Sequence, residues 1–391
     1  AYYGLDALDV LRGQFQVYFP ANNGREPLFI YLAAGTIGLL GRSPFALRLA
    51  SAFVGMLTVA ATAAAGRALF SRRVGLLAAA VLAVTLWHVH LSRVGFRAVT
   101  LPLMVALVFW QGARAVRTGR VHLWLWTGAL YGLLFYTYTA ARFTPLALAA
   151  FVLYLLTVRG PRALRPHLRG LGLAALVALV VLLPLVLHTL RHPQVVLGRP
   201  DQVSIWNPAI SGGDPWGTLG RHLLRTLGMF FVRGDRIWRH NVPWRPVFAP
   251  LLGAAFLLGV ARALAPARRS LPRTGWRAAP GGLSPAEGMG KEAMVFSLLW
   301  TTAMAFPTVL AEDAPHFLRA VGMLPVLAFL PALGLDALIG TRMDTDTSAF
   351  PRAHPRPSLL GVGVSILAVG LELASGARAY FGPYARDPMT G

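Results

Sequence analysis

The sequence predicts an all-α polytopic membrane protein of about ten transmembrane helices. Apolar residues make up 55% of its 391 positions and charged residues 13%, with a mean hydropathy of +0.56. Too few charges remain to cover a soluble surface of that size, and the same composition excludes intrinsic disorder. The apolar residues also fall into runs near the 20 residues that a helix needs to cross a bilayer.

The expected spans are 45–66, 74–92, 98–113, 121–139, 143–158, 170–190, 246–265, 293–311, 320–340 and 358–377. The run 27–40 is shorter, and Pro27 opens it as a first helical residue would. It is read as an interfacial or re-entrant helix. The chain is then one membrane domain, 1–391, in four parts. These are an exterior loop with the interfacial helix (1–44), a first helix group (45–190), a long exterior loop (191–245), and a second helix group with the tail (246–391).

Charge sets the orientation. The net charge is +22, and Lys291 is the only lysine among the 37 basic residues. Loops 67–73, 114–120, 159–169, 262–292 and 341–357 have about twice the basic density of the opposite side, which makes their side cytoplasmic. No phosphate-binding Gly loop with a following Lys-Ser/Thr is found, so nucleotide chemistry is not expected. With no Cys, thiolate catalysis and Cys-based metal sites are excluded. Any chemistry belongs to the exterior face, which holds most of the acids. No internal repeat points to a transporter built from inverted halves.

Four exterior segments carry reactive residues. Arg25–Glu26–Pro27 opens the interfacial helix, either as a helix start with a surface ion pair or as a carboxylate beside a phosphate-binding Arg. In WHVHLSRVGFRA, Arg93 and Arg97 either snorkel to lipid phosphates or clamp a substrate phosphate. His88 and His90 are two apart, which points them to different sides of a helix and argues against a shared metal. Residues 219–245 hold an amphipathic helix and six Arg, Arg233 and Arg239 among them. That local excess fits a groove for an anionic lipid headgroup or a basic helix resting on phospholipid. The turn LAEDAPHFLRAVGMLP places Glu312, Asp313, His316 and Arg319 together, an acid–base and phosphate-binding set. Asp336 and Glu372 lie within spans, the first near a cytoplasmic end.

The order YYGLDAL, NNGREPLFIYL, SPFALRLASAFVG, WHVHLSRVGFRA, GDRIWRHNVPWRP and EDAPHFLRAVGMLP resembles bacterial glycosyltransferase-C membrane enzymes. The branch is the one related to protein O-mannosyltransferases and the lipid A aminoarabinose transferase. The resemblance implies a site on the extracytoplasmic side of the bacterial cytoplasmic (inner) membrane. It implies a sugar donor linked to a polyprenyl phosphate, an extracytoplasmic lipid, glycan or protein acceptor, and no covalent sugar–enzyme intermediate. An acid of the first exterior loop serves as base or electrostatic anchor. The family's usual Asp-Glu pair would stand ahead of Ala1, so the chain reads as an N-terminally truncated piece lacking that pair.

Within this chain the catalytic candidates are Glu26, Asp6 and Asp9. The substrate-binding candidates are Arg25, Arg93, Arg97, Arg233, Arg239, Asp313, His316 and Arg319. The sequence assigns no metal ligands and names no cofactor, although a divalent metal is compatible with the resemblance. Membrane lipids are expected partners and nucleic acid is not. A transporter or flippase, or a polysaccharide polymerase or ligase for polyprenyl-linked glycans, are the alternative functions.

Overall fold

The computed structural model describes residues 2–21, 24–194, 202–265, 290–340 and 358–386. Asp201, Asp387, loop 341–357 and most of the basic loop 262–292 lie outside the described residues. The described residues are helical, and their only β-type pairings are two isolated bridges, Phe19 with Arg25 and Ser204 with Ala311.

The chain opens with α1 (Tyr2–Leu11) and α2 (Leu28–Leu40), which pack on each other. At 13 residues α2 is about 20 Å long, well short of a bilayer core. The next helices are α3 (Pro44–Leu69), the pair α4 (Arg72–Val84) and α5 (Leu86–Val94), and α6 (Thr100–Thr118). α7 (Val121–Leu134), α8 (Thr144–Val158) and α9 (Leu168–Arg191) complete the first group. After a loop come α10 (Pro215–Gly228), α11 (Pro250–Leu264), α12 (Gly290–Ala303), α13 (Val326–Ile339) and α14 (Leu359–Ala379).

All ten expected spans fall on helices, but not all have the expected length. Among the described residues six helical segments are long and apolar enough to cross a membrane, and seven if α4 and α5, bent by 60°, count as one. The remaining three positions hold α7, α11 and α13, of 14, 15 and 14 residues. Each has a local reason. Pro250 takes the first position of α11, where its missing N–H and fixed φ cost nothing, so the helix loses the expected 246–249. Leu324 precedes Pro325 and is extended, at ψ 142°, which delays α13 to Val326. α7 ends where the polar run Thr137–Tyr138–Thr139 begins, with the Thr137 hydroxyl bonded to the Leu134 carbonyl.

Burial separates protein-facing from lipid-facing helices. α13 is buried on every side from Val326 to Leu335 and packs on α4, α11 and α14. A helix enclosed by protein does not need the full thickness of lipid. Its contact with α11 is backbone-close: a Cβ on Gly259 would lie 1.8 Å from the Leu330 carbonyl oxygen, and one on Gly334 1.9 Å from that of Ala255. Small residues at such a crossing are how helices pack where no hydrophobic drive separates them from lipid. α9 is the opposite case. Only Ala178 of its 24 residues is buried, and Leu176, Leu179, Leu183 and Leu190 point outward.

α10 is amphipathic in the inverted sense. Thr218, His222 and Thr226 face the protein, while Trp216, Leu223, Leu224 and Leu227 are exposed. Asp214 caps it, its Oδ1 accepting the Gly217 N–H at 2.8 Å. An exposed Trp and Leu face with Arg221 and Arg225 alongside suits the edge of a bilayer.

Candidate functional site

The loop after α1 turns back through the Phe19–Arg25 bridge, where each backbone N–H donates to the other's carbonyl at 3.0 and 2.7 Å. The bridge points both Arg25 and Glu26 inward, at 1% and 2% exposure. The expected surface ion pair between these neighbours is therefore absent. Each finds a partner from elsewhere in the fold.

Arg25 reaches α1, where Nη2 lies 2.9–3.0 Å from the carboxylate of Asp6. Its guanidinium also sits over the rings of Tyr2 and Tyr3, at 5.4 and 5.7 Å. Nε and Nη1 of Arg25 are buried without a hydrogen-bond partner. Burial pushes the Asp6 carboxyl above its ordinary range, and the Arg25 charge opposes that rise. Asp6 and Asp9 do not act as a pair. Asp9 faces outward and meets Arg12 at 3.3 Å.

Glu26 meets Arg97, which precedes α6, with Nε 2.8 Å from Oε2. The Thr139 hydroxyl donates to Oε1 at 2.9 Å. The Arg97 N–H is not aimed along the line to Oε2, so that contact is an ion pair rather than a hydrogen bond. Arg97 in turn lies 5.3 Å over the Tyr138 ring. Burial holds the Tyr138 phenol above its ordinary value, opposed by the charges of Arg97 and then Arg319. Arg319 thus brings the turn 312–319 to the edge of the same cluster.

In that turn Arg319 is held by Glu312, with Nη2 3.1 Å from Oε1, and Nη1 also donates to the Glu312 carbonyl. His316 is buried, and its imidazole is held well below its ordinary pKa, first by desolvation and then by the Arg319 charge. Asp313 points away to Arg236, at 2.6 Å.

Other expected residues lie apart. Arg93 stacks on Tyr380 and Phe381 of the tail, at 4.8 and 5.9 Å, not on Arg97. Arg233 is exposed and lies 3.7 Å over the Trp244 ring. Arg239 is exposed, and its backbone carbonyl faces His90 Nε2 at 3.1 Å. His88 faces the Gly55 carbonyl at 3.3 Å, so both histidines of WHVH tie elements together. Glu372 is satisfied by the Ala249 N–H at 2.6 Å and by Arg245 at 3.4 Å. Asp336 lies near Arg73 and Arg262, at 3.7 and 3.8 Å. The structure adds residues that the sequence did not single out: Tyr138 and Thr139 beside Glu26, and the buried pair Asp235 and His240, whose contact is 3.2 Å.

An apolar groove of about 370 Å³ begins at Pro27 and Leu28, directly after Glu26. Phe15, Tyr31, Leu133, Tyr136 and Pro184 also line it. The Tyr31 hydroxyl fixes one rim, bonded to both the N–H and the carbonyl of Gln16 at 3.0 and 2.9 Å.

These features define an integral membrane protein in which a buried Glu26–Arg97 pair directly precedes, in sequence, the Pro27 and Leu28 that line an apolar groove. Residues 24–188 match the sequence model of the Dolichyl-phosphate-mannose-protein mannosyltransferase family. The chain has the fold of the glycosyltransferase-C membrane proteins, as its sequence resemblance implied. ArnT from Cupriavidus metallidurans, solved bound to undecaprenyl phosphate, is 17% identical with a TM-score of 0.53, over 86% of this chain and 55% of that one. The archaeal oligosaccharyltransferase AglB from Archaeoglobus fulgidus was solved with an inhibitory peptide and a dolichol-phosphate. It is 15% identical with a TM-score of 0.54, over 98% of this chain and 51% of that one. The chain thus spans about half the length of these solved proteins. No curated protein matches the chain in sequence.

Proposed function

We propose that the chain forms the membrane core of a glycosyltransferase. It moves a sugar from a polyprenyl-phosphate-linked donor to a lipid, glycan or protein acceptor on the extracytoplasmic side of the bacterial inner membrane. The observation that carries this reading is a buried carboxylate, Glu26, ion-paired with Arg97 and next in sequence to Pro27, where the lining of an apolar groove begins. A lipid phosphate ester offers that combination: an anion for the Arg residues and a chain for the groove.

The chemistry balances with these groups. The acceptor oxygen attacks the sugar anomeric carbon while its proton passes to Glu26. The bond from that carbon to the donor phosphate oxygen breaks, and its electron pair stays on the lipid phosphate. The N–H groups of Arg25 that have no partner, together with Arg97 and Arg319, stabilise that developing charge. The other binding candidates are assigned no step: Arg93 lies over Tyr380, Arg233 over Trp244, Arg239 is exposed, Asp313 meets Arg236 and His316 lies against His240. Asp6 holds Arg25 in place.

The test is transfer of labelled sugar from a polyprenyl-phosphate donor by protein in lipid nanodiscs. Glu26→Gln should lower kcat about 10²–10⁴-fold, the usual contribution of a general base. Arg25→Ala should raise the KM for donor. Donor crossing vesicle membranes without any transfer product would mean a flippase and overturn the reading. Unchanged kcat in Glu26→Gln would remove Glu26 from the reaction.

A further inference from the structure

A second polar cluster lies outside the donor site. Asp235 and His240 come from the loop after α10, and His316 from the turn between α12 and α13. One ligand atom from each lies within 4.8 Å of the other two.

Asp235 is fully buried at 0% exposure. A buried carboxylate ordinarily has an Arg or Lys beside it, or a metal. Among the described residues its only ion-pair partner is His240, at 3.2 Å. Two backbone N–H groups fix its direction, Ile237 on Oδ1 at 2.8 Å and Phe317 on Oδ2 at 2.7 Å. Oδ1 keeps a further lone pair, while Oδ2 also faces His240 Nδ1. Of the nearby cations, Arg319 is paired with Glu312 and Arg236 with Asp313, and Arg239 is exposed, its charge acting on His316.

The two imidazoles lie side by side, with ring centroids 4.6 Å apart and planes inclined by 38°. Neither donates to the other. His316 Nδ1 has one long contact, the Arg319 N–H at 3.4 Å. A plain Asp235–His240 hydrogen bond would close the loop 235–240 without a second histidine. The second ring, placed against the first beside a buried carboxylate that has no Arg or Lys partner among the described residues, suits a cation.

We propose that Asp235, His240 and His316 bind a divalent transition metal of the Zn²⁺ class through two nitrogens and one oxygen, leaving one coordination position open. This donor set suits zinc, and the backbone bonds to Asp235 are the orienting outer contacts that such sites use. Zinc bonds of about 2.0–2.2 Å place ligand atoms roughly 3.4 Å apart in a tetrahedron. The cluster closes to that size by at most about 1.4 Å, within reach of side-chain rotation. The metal would tie the loop 235–240 to the turn that carries Arg319. The inference is independent of the sugar-transfer reading.

The experiment uses the purified full chain in nanodiscs, stripped with a chelator, then exposed to micromolar Zn²⁺ and desalted. Elemental analysis should find about one zinc per chain. Zinc should also raise the melting temperature, as a ligand of the folded state does. Co²⁺ in its place should give the strong visible absorption of a tetrahedral site. His316→Asn and Asp235→Asn should each weaken Zn²⁺ binding about tenfold or more and remove the Co²⁺ bands. Should Asp235→Asn fail to fold, His316→Asn together with His240→Gln carries the test. No zinc retained by the wild type, or equal retention and equal Co²⁺ spectra in the His316→Asn variant, would overturn the proposal.

Discussion

Replacing Arg97 by Met removes the cation from Glu26 and leaves a carboxylate at 3% side-chain exposure whose hydrogen bond, among the described residues, comes from the Thr139 hydroxyl. At 2.8 Å the ion pair has a Coulomb energy of about 6 kcal/mol for an effective dielectric near 20. Broken buried pairs typically cost about 3–5 kcal/mol. Protonation caps the loss, because a stranded carboxylate takes a proton instead. Neutralising an ordinary glutamate costs about 4 kcal/mol at pH 7 and about 1 kcal/mol at pH 5. Arg97→Met should therefore destabilise the fold by about 3–4 kcal/mol at pH 7 and by about 1 kcal/mol at pH 5. Adding Glu26→Gln should restore most of the loss at pH 7. The assay is unfolding in mixed detergent micelles, followed by the fluorescence of the chain's 10 Trp. Additive effects of the two substitutions, or a loss that does not change between pH 7 and pH 5, would refute the buried-pair argument.

Two further outcomes follow from packing and titration. Gly259→Ala should cost about 3 kcal/mol or more in the same unfolding assay, because its Cβ would meet the Leu330 backbone. Gly363→Ala in α14 has open space around it and should be neutral or slightly stabilising, so equal losses at both sites would argue against the α11–α13 contact. Desolvation and the neighbouring Arg225 and Arg221 hold the His222 imidazole below 6.5, while its bond to the Val309 carbonyl opposes them. The unfolded chain then binds a proton that the folded one refuses, so stability is full above 6.5 and falls as pH drops below it. His222→Gln should flatten that fall, and an unchanged slope between wild type and variant would remove His222 as its source.

The helical membrane class was legible because it rests on composition and on apolar runs, which are local signals. Span positions followed for the same reason. Lengths followed less well, because proline and short polar runs trim helices by chemistry that a hydropathy average smooths over, as at Pro250 and Leu324. The site was legible only in part. Arg25, Glu26 and Arg97 stood out as charges beside apolar segments. Their partners did not, since Glu26 meets Arg97 only after four helices, and Thr139 only after six, have turned back on themselves. Asp235 and His240 lie in a loop, five apart, where no helical or strand period brings such a pair into register.

The Arg-rich segment 219–245 shows how contact changes the meaning of charge. In sequence its six Arg form an excess on the side where few are expected. In the fold Arg221 lies 3.7 Å from Asp214, Arg236 pairs with Asp313 and Arg245 with Glu372. Arg233 rests on the Trp244 ring. Three of the six thus already face carboxylates, with which an anion bound there would have to compete, and two of these, Arg236 and Arg245, tie the loop to other elements. Arg25 differs from these. It is more deeply buried, its ion pair with Asp6 engages Nη2, and Nε and Nη1 stay unbonded. A phosphate beside Arg25 would meet two N–H donors already desolvated and already oriented. That favours the neighbourhood of Glu26, rather than the basic loop, as the place where a lipid phosphate binds.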